Sequence, residues 1–264
     1  LGIKLSTEDI VMSVGAAGGL NVVFKTLLDV NDEVLVFSPY FVEYESYVSN
    51  HGGILKKVPT DSNFQPILEV FEKAINVKTK VVLINTPNNP TGVIYSQRIL
   101  NDLGEIIQSK EKKYGHSITI VGDDIYRKIL FDGKTNGDVL LSHFNSIRVH
   151  SFSKELGLPG ERIGYISINP KIKNKELIRE GLVLSNRILG FVNAPALMQR
   201  IIPSIIDSSI DIKIYENLRN EFVKMLKELG FEFVVPSGAF YLFPKSPIAD
   251  DIEFVKMAQK ENIL

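Results

Sequence analysis

The sequence predicts an α/β protein: three layers, αβα, around a mainly parallel central sheet forming a large domain, plus a smaller C-terminal α+β domain, truncated at both ends. Three observations predict it. Short β-branched runs alternate with longer amphipathic ones through the first two-thirds of the chain, the signature of βαβ units. From about Lys171 the pattern turns helical. The 264 residues, 44% hydrophobic and 23% charged, have the composition of a globular chain and enough length for one large domain or two smaller ones.

The first strand-like stretch is Asp9–Ser13. Val14-Gly15-Ala16-Ala17-Gly18-Gly19-Leu20 then opens a helix, Gly18–Leu28. Strands are expected at Glu33–Phe37, Ile54–Val58, Lys80–Ile84, Ser117–Val121, Ile147–Ser151 and Ile163–Ile168. Helices are expected at Glu43–Asn50, Pro66–Ile75 and Ser96–Tyr114. Ile210, Ile214, Leu218, Phe222, Met225 and Leu229 recur at threes and fours, one face of a long helix, which Gly230 stops. Phe231–Val235 and Ala239–Phe243 read as two short strands around Pro236-Ser237-Gly238, and Asp251–Lys260 as a last helix. The periodicity shift puts a boundary near Asp207, giving a large domain over 1–206 and part of a small one over 207–264.

Lys plus Arg number 30 and Asp plus Glu 31, so the net charge is −1. That balance gives no global signal for nucleic acid or a membrane surface, and no apolar run approaches the ~18 residues of a membrane span. Zero Cys excludes disulfides, thiolate metal sites and Cys nucleophiles, and fits a cytoplasmic protein. Leu1-Gly2-Ile3-Lys4 does not resemble a signal peptide. It lacks an initiator Met, and the apolar Ile263-Leu264 suggests continuation into a strand, so the chain is expected to be part of a longer one.

In parallel sheets ligands gather beyond the carboxyl ends of the strands, and that is where the chemistry-bearing residues fall. The small residues at Gly15–Gly19 allow either a phosphate at a helix N-terminus or a plain tight turn. Asn85-Thr86-Pro87-Asn88-Asn89-Pro90-Thr91-Gly92 is either a strand-to-helix loop or a device that aims an Asn amide at a ligand oxygen. Gly122-Asp123-Asp124-Ile125-Tyr126 delivers a carboxylate to the sheet edge with a phenol three residues on; metal binding is the runner-up there. The four histidines, at 51, 116, 143 and 150, lack ligand spacing and read as surface or loop residues. In Ser151-Phe152-Ser153-Lys154, with Arg162 eight residues on, hydroxyls and a guanidinium make a phosphate clamp. A partly desolvated Lys among cations becomes a nucleophile toward carbonyls. An aromatic in Ser38-Pro39-Tyr40-Phe41-Val42-Glu43-Tyr44 is either core or a slab that stacks on a planar ring.

One ligand explains these pieces jointly. Pyridoxal 5′-phosphate carries a phosphate, a pyridine nitrogen that a carboxylate keeps protonated, a phenolic oxygen that takes neutral donors, and an aldehyde that takes an amine. With those residues in view, the chain resembles the class I/II aminotransferases, the fold type I pyridoxal-phosphate enzymes, near the bacterial aspartate aminotransferase-like branch. The resemblance rests most on Asn89-Pro90-Thr91-Gly92, on Asp123 with Tyr126, and on Ser-x-Ser-Lys followed by Arg162, and Pro236-Ser237-Gly238-Ala239-Phe240-Tyr241 is similar to the family's small-domain strand segment. It implies that Lys154 carries the cofactor covalently and Asp123 pairs with its ring nitrogen. Asn89 and Tyr126 would contact the phenolic oxygen, and Phe41 would stack on the ring. Ala16 and Ala17 would offer backbone N–H groups to the phosphate, with Ser151, Ser153 and Arg162 around it. Position 124 is Asp where the family often has Glu, and Ala17 lacks the larger side chain of many members. The family's substrate-carboxylate Arg and N-terminal segment have no counterpart in this sequence.

The activity implied is transamination between an L-amino acid and a 2-oxo acid by a ping-pong mechanism, in a cytoplasmic homodimer. The same cofactor and Lys serve a C–S lyase, and the fold also serves as the ligand-sensing domain of transcription regulators. Those two remain the alternatives.

Overall fold

The computed structural model describes residues 3–263; Leu1, Gly2 and Leu264, on which the expectation of a longer chain partly rests, lie outside the described residues. Seven strands form one sheet: β1 (Ile10–Ser13), β2 (Glu33–Ser38), β3 (Ile54–Pro59), β4 (Thr79–Asn85), β5 (Thr119–Asp123), β6 (Ser146–Ser151) and β7 (Gly164–Ile168), in the order β1-β7-β6-β5-β4-β2-β3. The block from β6 to β3 is parallel, and β7 runs antiparallel to both its neighbours. β4 and β5 are buried at nearly every position, as strands covered on both faces must be.

Helices cover both faces. α1 (Gly15–Leu27), α2 (Tyr44–Ser49) and α7 (Lys175–Ile188) lie on one side, where Leu20, Val23, Phe24, Tyr44 and Leu182 pack against Val34, Val36, Val121, Val149 and Ile166. α3 (Leu68–Ala74), α4 (Gln97–Tyr114) and α5 (Val139–Ser142) lie on the other, where Phe71, Leu100, Leu103, Ile107 and Val139 pack against Leu35, Val82, Ile84 and Ile120. Apolar burial at about 25 cal/mol per Å² holds both layers, and α4 shows how tightly. Ser96 accepts from the Ile99 N–H to start it, Gly115 in the left-handed region stops it, and a Cβ on Gly104 would lie 2.2 Å from the Ser142 carbonyl oxygen.

The remaining helices are α6 (Phe152–Glu155), α8 (Ala196–Ile205), α9 (Ile212–Glu228) and α10 (Asp251–Lys260). The two short strands expected at Phe231–Val235 and Ala239–Phe243 are not formed. Those residues run as irregular chain, and Gly238 makes only a single isolated bridge, to Leu130. Apolar content alone does not make a strand, because a strand exists only against a partner. The segment is held instead by separate backbone bonds. Ser237 N–H and Gly238 N–H both donate to the Gly92 carbonyl (2.8 and 3.0 Å), and Ala239 N–H donates to the Ile129 carbonyl at 3.1 Å.

One histidine departs from the expected surface or loop position: His150 is 3% exposed inside β6, between β5 and β7, and His143, although in the loop after α5, is 7% exposed. Among the described residues no helix is long and apolar enough to cross a membrane.

Candidate active site

Four parallel strands end on the same edge, and their ends build one cavity of about 160 Å³. Ala16, Ala17, Phe41, Asn89, Asp123, Tyr126 and Lys154 all line it, together with Leu20, Tyr44, Tyr47, Asn85, Ile125 and Tyr241. Each side chain arrives by a different route. Asp123 is the last residue of β5, paired in register with Asn85 at the end of β4. The Asn85 amide donates to the Asp123 carbonyl at 2.9 Å, and its own oxygen accepts from the Asn89 N–H at 2.7 Å, so one Asn fixes both the strand end and the loop that carries Asn89. Lys154 comes from α6, the short helix directly after β6.

Asp123 is 4% exposed. Its Oδ2 accepts from the Tyr44 hydroxyl at 2.5 Å, while Oδ1 is buried without a partner among the described residues. Burial pushes its carboxyl up to about 6, the Tyr44 hydrogen bond pulls it down, the Asp124 charge adds to the rise and the His150 charge opposes it. Tyr44, fully buried beside that carboxylate, is held far above the ordinary phenol value, first by burial and then by the Asp123 charge, so it stays a donor. The adjacent carboxylates diverge. Asp123 faces the cavity, whereas Asp124 Oδ2 takes the Arg127 guanidinium at 2.9 Å and faces Arg148 at 3.8 Å. Successive side chains at a strand end point to opposite faces, which separates the two roles.

On the far side of the cavity the Tyr241 hydroxyl accepts from the Asn89 amide (3.2 Å) and shares a hydrogen bond with the Tyr126 hydroxyl (2.6 Å). Asn89 and Tyr126 thus both hydrogen-bond to one phenolic oxygen. Phe41 meets Tyr44 edge-on, with ring centroids 5.5 Å apart.

Ser151, Ser153 and Arg162 stand beside the cavity rather than in its wall. The Ser151 hydroxyl caps α6 by accepting from the Ser153 N–H at 3.2 Å, and the two serine hydroxyls lie 2.8 Å apart. Arg162 is in the left-handed region and donates to the Pro159 carbonyl at 2.8 Å. Its guanidinium lies against Gly15, where a Cβ would fall 3.0 Å from Nη2. Gly15 opens α1 behind an N-cap residue, Val14, that gives no side-chain cap. The first-turn N–H groups of that helix lack intrahelical partners, and they share this corner with a guanidinium. The arrangement can hold a multiply charged anion at the helix end, a protonated ring nitrogen at Asp123 and a phenolic oxygen at Asn89 and Tyr126, with a primary amine in the same cavity.

Tyr44, Asn85 and Tyr241 are parts of the cavity that sequence reasoning did not single out. All three lie within motifs noted above, but the partners that Tyr44 and Tyr241 meet are 79 and 115 residues away.

Residues 1–264 match the family described as aminotransferase class I and II. The aspartate aminotransferase of Thermotoga maritima is 31% identical over 97% of this chain and 66% of its own length. A probable aspartate/prephenate aminotransferase of Thermus aquaticus is 32% identical over 94% and 64%. The crystal structure of an aminotransferase from Eubacterium rectale superposes with a TM-score of 0.97 at 35% identity, covering 100% of this chain and 67% of that one. The chain therefore spans about two thirds of the length of these relatives. The strand order, the cavity at the strand ends and these matches agree: the chain belongs to the aminotransferase class I and II family.

Proposed function

We propose that this chain carries the cofactor site of a pyridoxal-phosphate-dependent aminotransferase that moves an amino group between an L-amino acid and a 2-oxo acid. One observation carries the reading: Asp123 Oδ1 is buried, has no hydrogen-bond partner among the described residues, and belongs to the same cavity as Lys154. A buried carboxylate oxygen without a donor is costly, and a protonated pyridine nitrogen supplies that donor. The residues fit the cofactor at its other end as well. The uncapped start of α1 and the Arg162 guanidinium over Gly15 suit a phosphate, and Asn89 with Tyr126 already bind a phenolic oxygen, that of Tyr241.

In this reading the Lys154 amine would hold the cofactor by its aldehyde carbon, and the same amine would serve as the base that moves the substrate Cα proton. The cofactor, when bound, supplies an electron sink for the bond broken at Cα. Asp123 would keep the ring nitrogen protonated, with Tyr44 orienting Asp123. Phe41 would flank the ring. Ala16 and Ala17 N–H groups, with Ser151, Ser153 and Arg162 beside the cavity, would hold the phosphate. The names of the relatives support dicarboxylic amino-acid donors, and aspartate is the first to try. We assign residues 1–206 to the large cofactor-binding domain and 207–264 to part of the small one. We place the protein in the cytoplasm as a homodimer, a reading supported by the exposed apolar residues Leu184, Ile188, Val192 and Leu197 on and between α7 and α8.

The test is an absorption spectrum of the protein with pyridoxal phosphate, followed on adding amino acids. Transamination gives a band that bleaches with donor, releases 2-oxo acid and returns with a second 2-oxo acid. Pyruvate and ammonia released while the band persists would replace this reading with β-elimination. The absence of any band would overturn it.

A further inference from the structure

His150 has no place in the chemistry above, yet it is among the most buried polar side chains of the sheet. Its imidazole Nδ1 lies 3.0 Å from the Asp124 carbonyl oxygen and its Nε2 lies 3.1 Å from Glu155 Oε1. Both partners are acceptors. A neutral imidazole has one N–H and one lone pair, so it would set a lone pair against an oxygen at one of the two contacts. Only a ring with protons on both nitrogens satisfies both. A protonated Glu155 would offer an alternative, but that carboxyl lies below its ordinary value. Burial pushes it up, and the hydrogen bond and charge of His150, with Lys128, outweigh the burial.

The position of this ring gives it leverage. Glu155 follows Lys154 on α6, and Asp124 follows Asp123 at the end of β5. Phe152 and Tyr165 pack against the imidazole, with ring centroids at 5.4 and 5.0 Å, and leave it little freedom. The Glu155 carbonyl accepts from the Ile210 N–H, and Lys128 links Glu155 Oε2 (3.5 Å) to the Ile206 carbonyl (3.3 Å), so the clamp continues into the chain leading to α9.

We propose that His150 is a positioning residue of this site, held as an imidazolium that donates one N–H to the Asp124 carbonyl and the other to the Glu155 carboxylate, tying the Lys154 turn to the end of β5 and standing a buried positive charge behind Asp123. The charged and titratable groups around it are Asp123 at the end of β5 and Asp124 just after it, Arg127 and Lys128 further on, Arg148 from β6 itself, Glu155 from α6 and Tyr165 from β7. Asp124 is already matched by Arg127 and Arg148, and Glu155 has Lys128 beside it. Asp123 receives a neutral donor from Tyr44 and the opposing charge of His150. The imidazolium therefore keeps Asp123 ionised at a depth where burial favours its neutral form. The inference deepens the cofactor reading and rests on it for its functional half.

The test separates the two halves. Nitrogen-15 spectra of the histidine-labelled full chain, without cofactor, report whether both His150 ring nitrogens carry protons near pH 7.5. Carbon-13 spectra report the Asp123 carboxyl titration. Glu155→Gln keeps size and fold while removing the carboxylate; His150→Gln removes the charge. We expect a doubly protonated ring in the unsubstituted chain and a singly protonated one in Glu155→Gln. In His150→Gln we expect Asp123 to titrate about one pH unit higher, a tenfold change. Pyridoxal phosphate affinity should fall about tenfold in Glu155→Gln, with phosphate competition unchanged. A neutral tautomer in the unsubstituted chain overturns the proposal. So does a doubly protonated ring whose loss leaves both the Asp123 titration and cofactor affinity as they were. If the ring is doubly protonated but the unsubstituted chain binds no pyridoxal phosphate, the cofactor reading falls and takes the positioning role with it, while the protonation state stands.

Discussion

The Tyr44 hydroxyl donates to Asp123 Oδ2 across 2.5 Å, and the other oxygen of the same carboxylate is buried with nothing to accept from among the described residues. Half of this carboxylate is satisfied by the fold and half is reserved. That asymmetry organises what the site should do when its residues are changed.

Asp123→Asn should stabilise the cofactor-free protein above pH 6 while destroying cofactor function. The Asp123 carboxyl is raised to about 6 from 3.8, so between those values the folded state binds more protons than the unfolded state. Its contribution is intact below about pH 4 and is lost as pH rises through 6, a loss of about 2–3 kcal/mol. Urea denaturation at pH 4.5 and pH 8 should show the substitution gaining about 1–3 kcal/mol at pH 8 only. An equal effect at both values would mean that the carboxylate is not raised.

Tyr44→Phe removes the side-chain donor to the Asp123 carboxylate. Stability should drop by about 1–3 kcal/mol, and the drop should be larger at pH 8, where Asp123 is charged, than at pH 5. A drop independent of pH would reduce Tyr44 to a packing residue.

Tyr241→Phe should tighten the binding of pyridoxal phosphate. The Tyr241 hydroxyl occupies the hydrogen-bonding groups of Asn89 and Tyr126, so the cofactor's phenolic oxygen must displace it. Deleting that competitor raises affinity by up to about tenfold. Weaker binding would instead show that the Tyr241 hydroxyl contacts the loaded site.

Arg162→Ala should distinguish pyridoxal phosphate from pyridoxal. Losing a charge-assisted pair costs about 1.5–3 kcal/mol, so affinity for the phosphorylated form should fall about tenfold or more while pyridoxal binding stays level. Equal losses for both would move the phosphate elsewhere. Lys154→Ala is expected to abolish covalent attachment and turnover; retained turnover would remove Lys154 from its role.

The elements most legible in the sequence were those with local causes. Strands such as β4 and β5 are unbroken runs of apolar residues, and α4 carries its Ser96 and Gly115 signals at its own ends. The site residues at strand ends were legible for the same reason, since Asp123, Ser151 and Lys154 need only the local strand-to-loop step to be placed. What escaped depends on distant partners. His150 read as bland because nothing near it in sequence announces that both its ring nitrogens would meet acceptors, one of them 26 residues upstream. Phe231–Val235 and Ala239–Phe243 had strand composition, but they meet only scattered backbone partners among the described residues, such as the Leu226 carbonyl for Phe231, the Lys245 N–H for Glu232 and the Ile129 carbonyl for Ala239, and no neighbouring strand.

The bonds from Ser237 and Gly238 to Gly92 join segments that the chain makes far apart. A Cβ on Gly92 would sit 2.3 Å from Pro236, so the two backbones touch with no room for a side chain between them. All seven strands lie within residues 10–168, whereas Tyr241 comes later in the chain, so a growing chain has made the whole sheet before it makes this wall. The cavity wall that includes Tyr241 is therefore completed only when nearly the whole chain has found its place. Nascent or partly folded molecules would have the sheet but not the closed pocket, and ligand capture would mark the last stage of folding rather than guide the first.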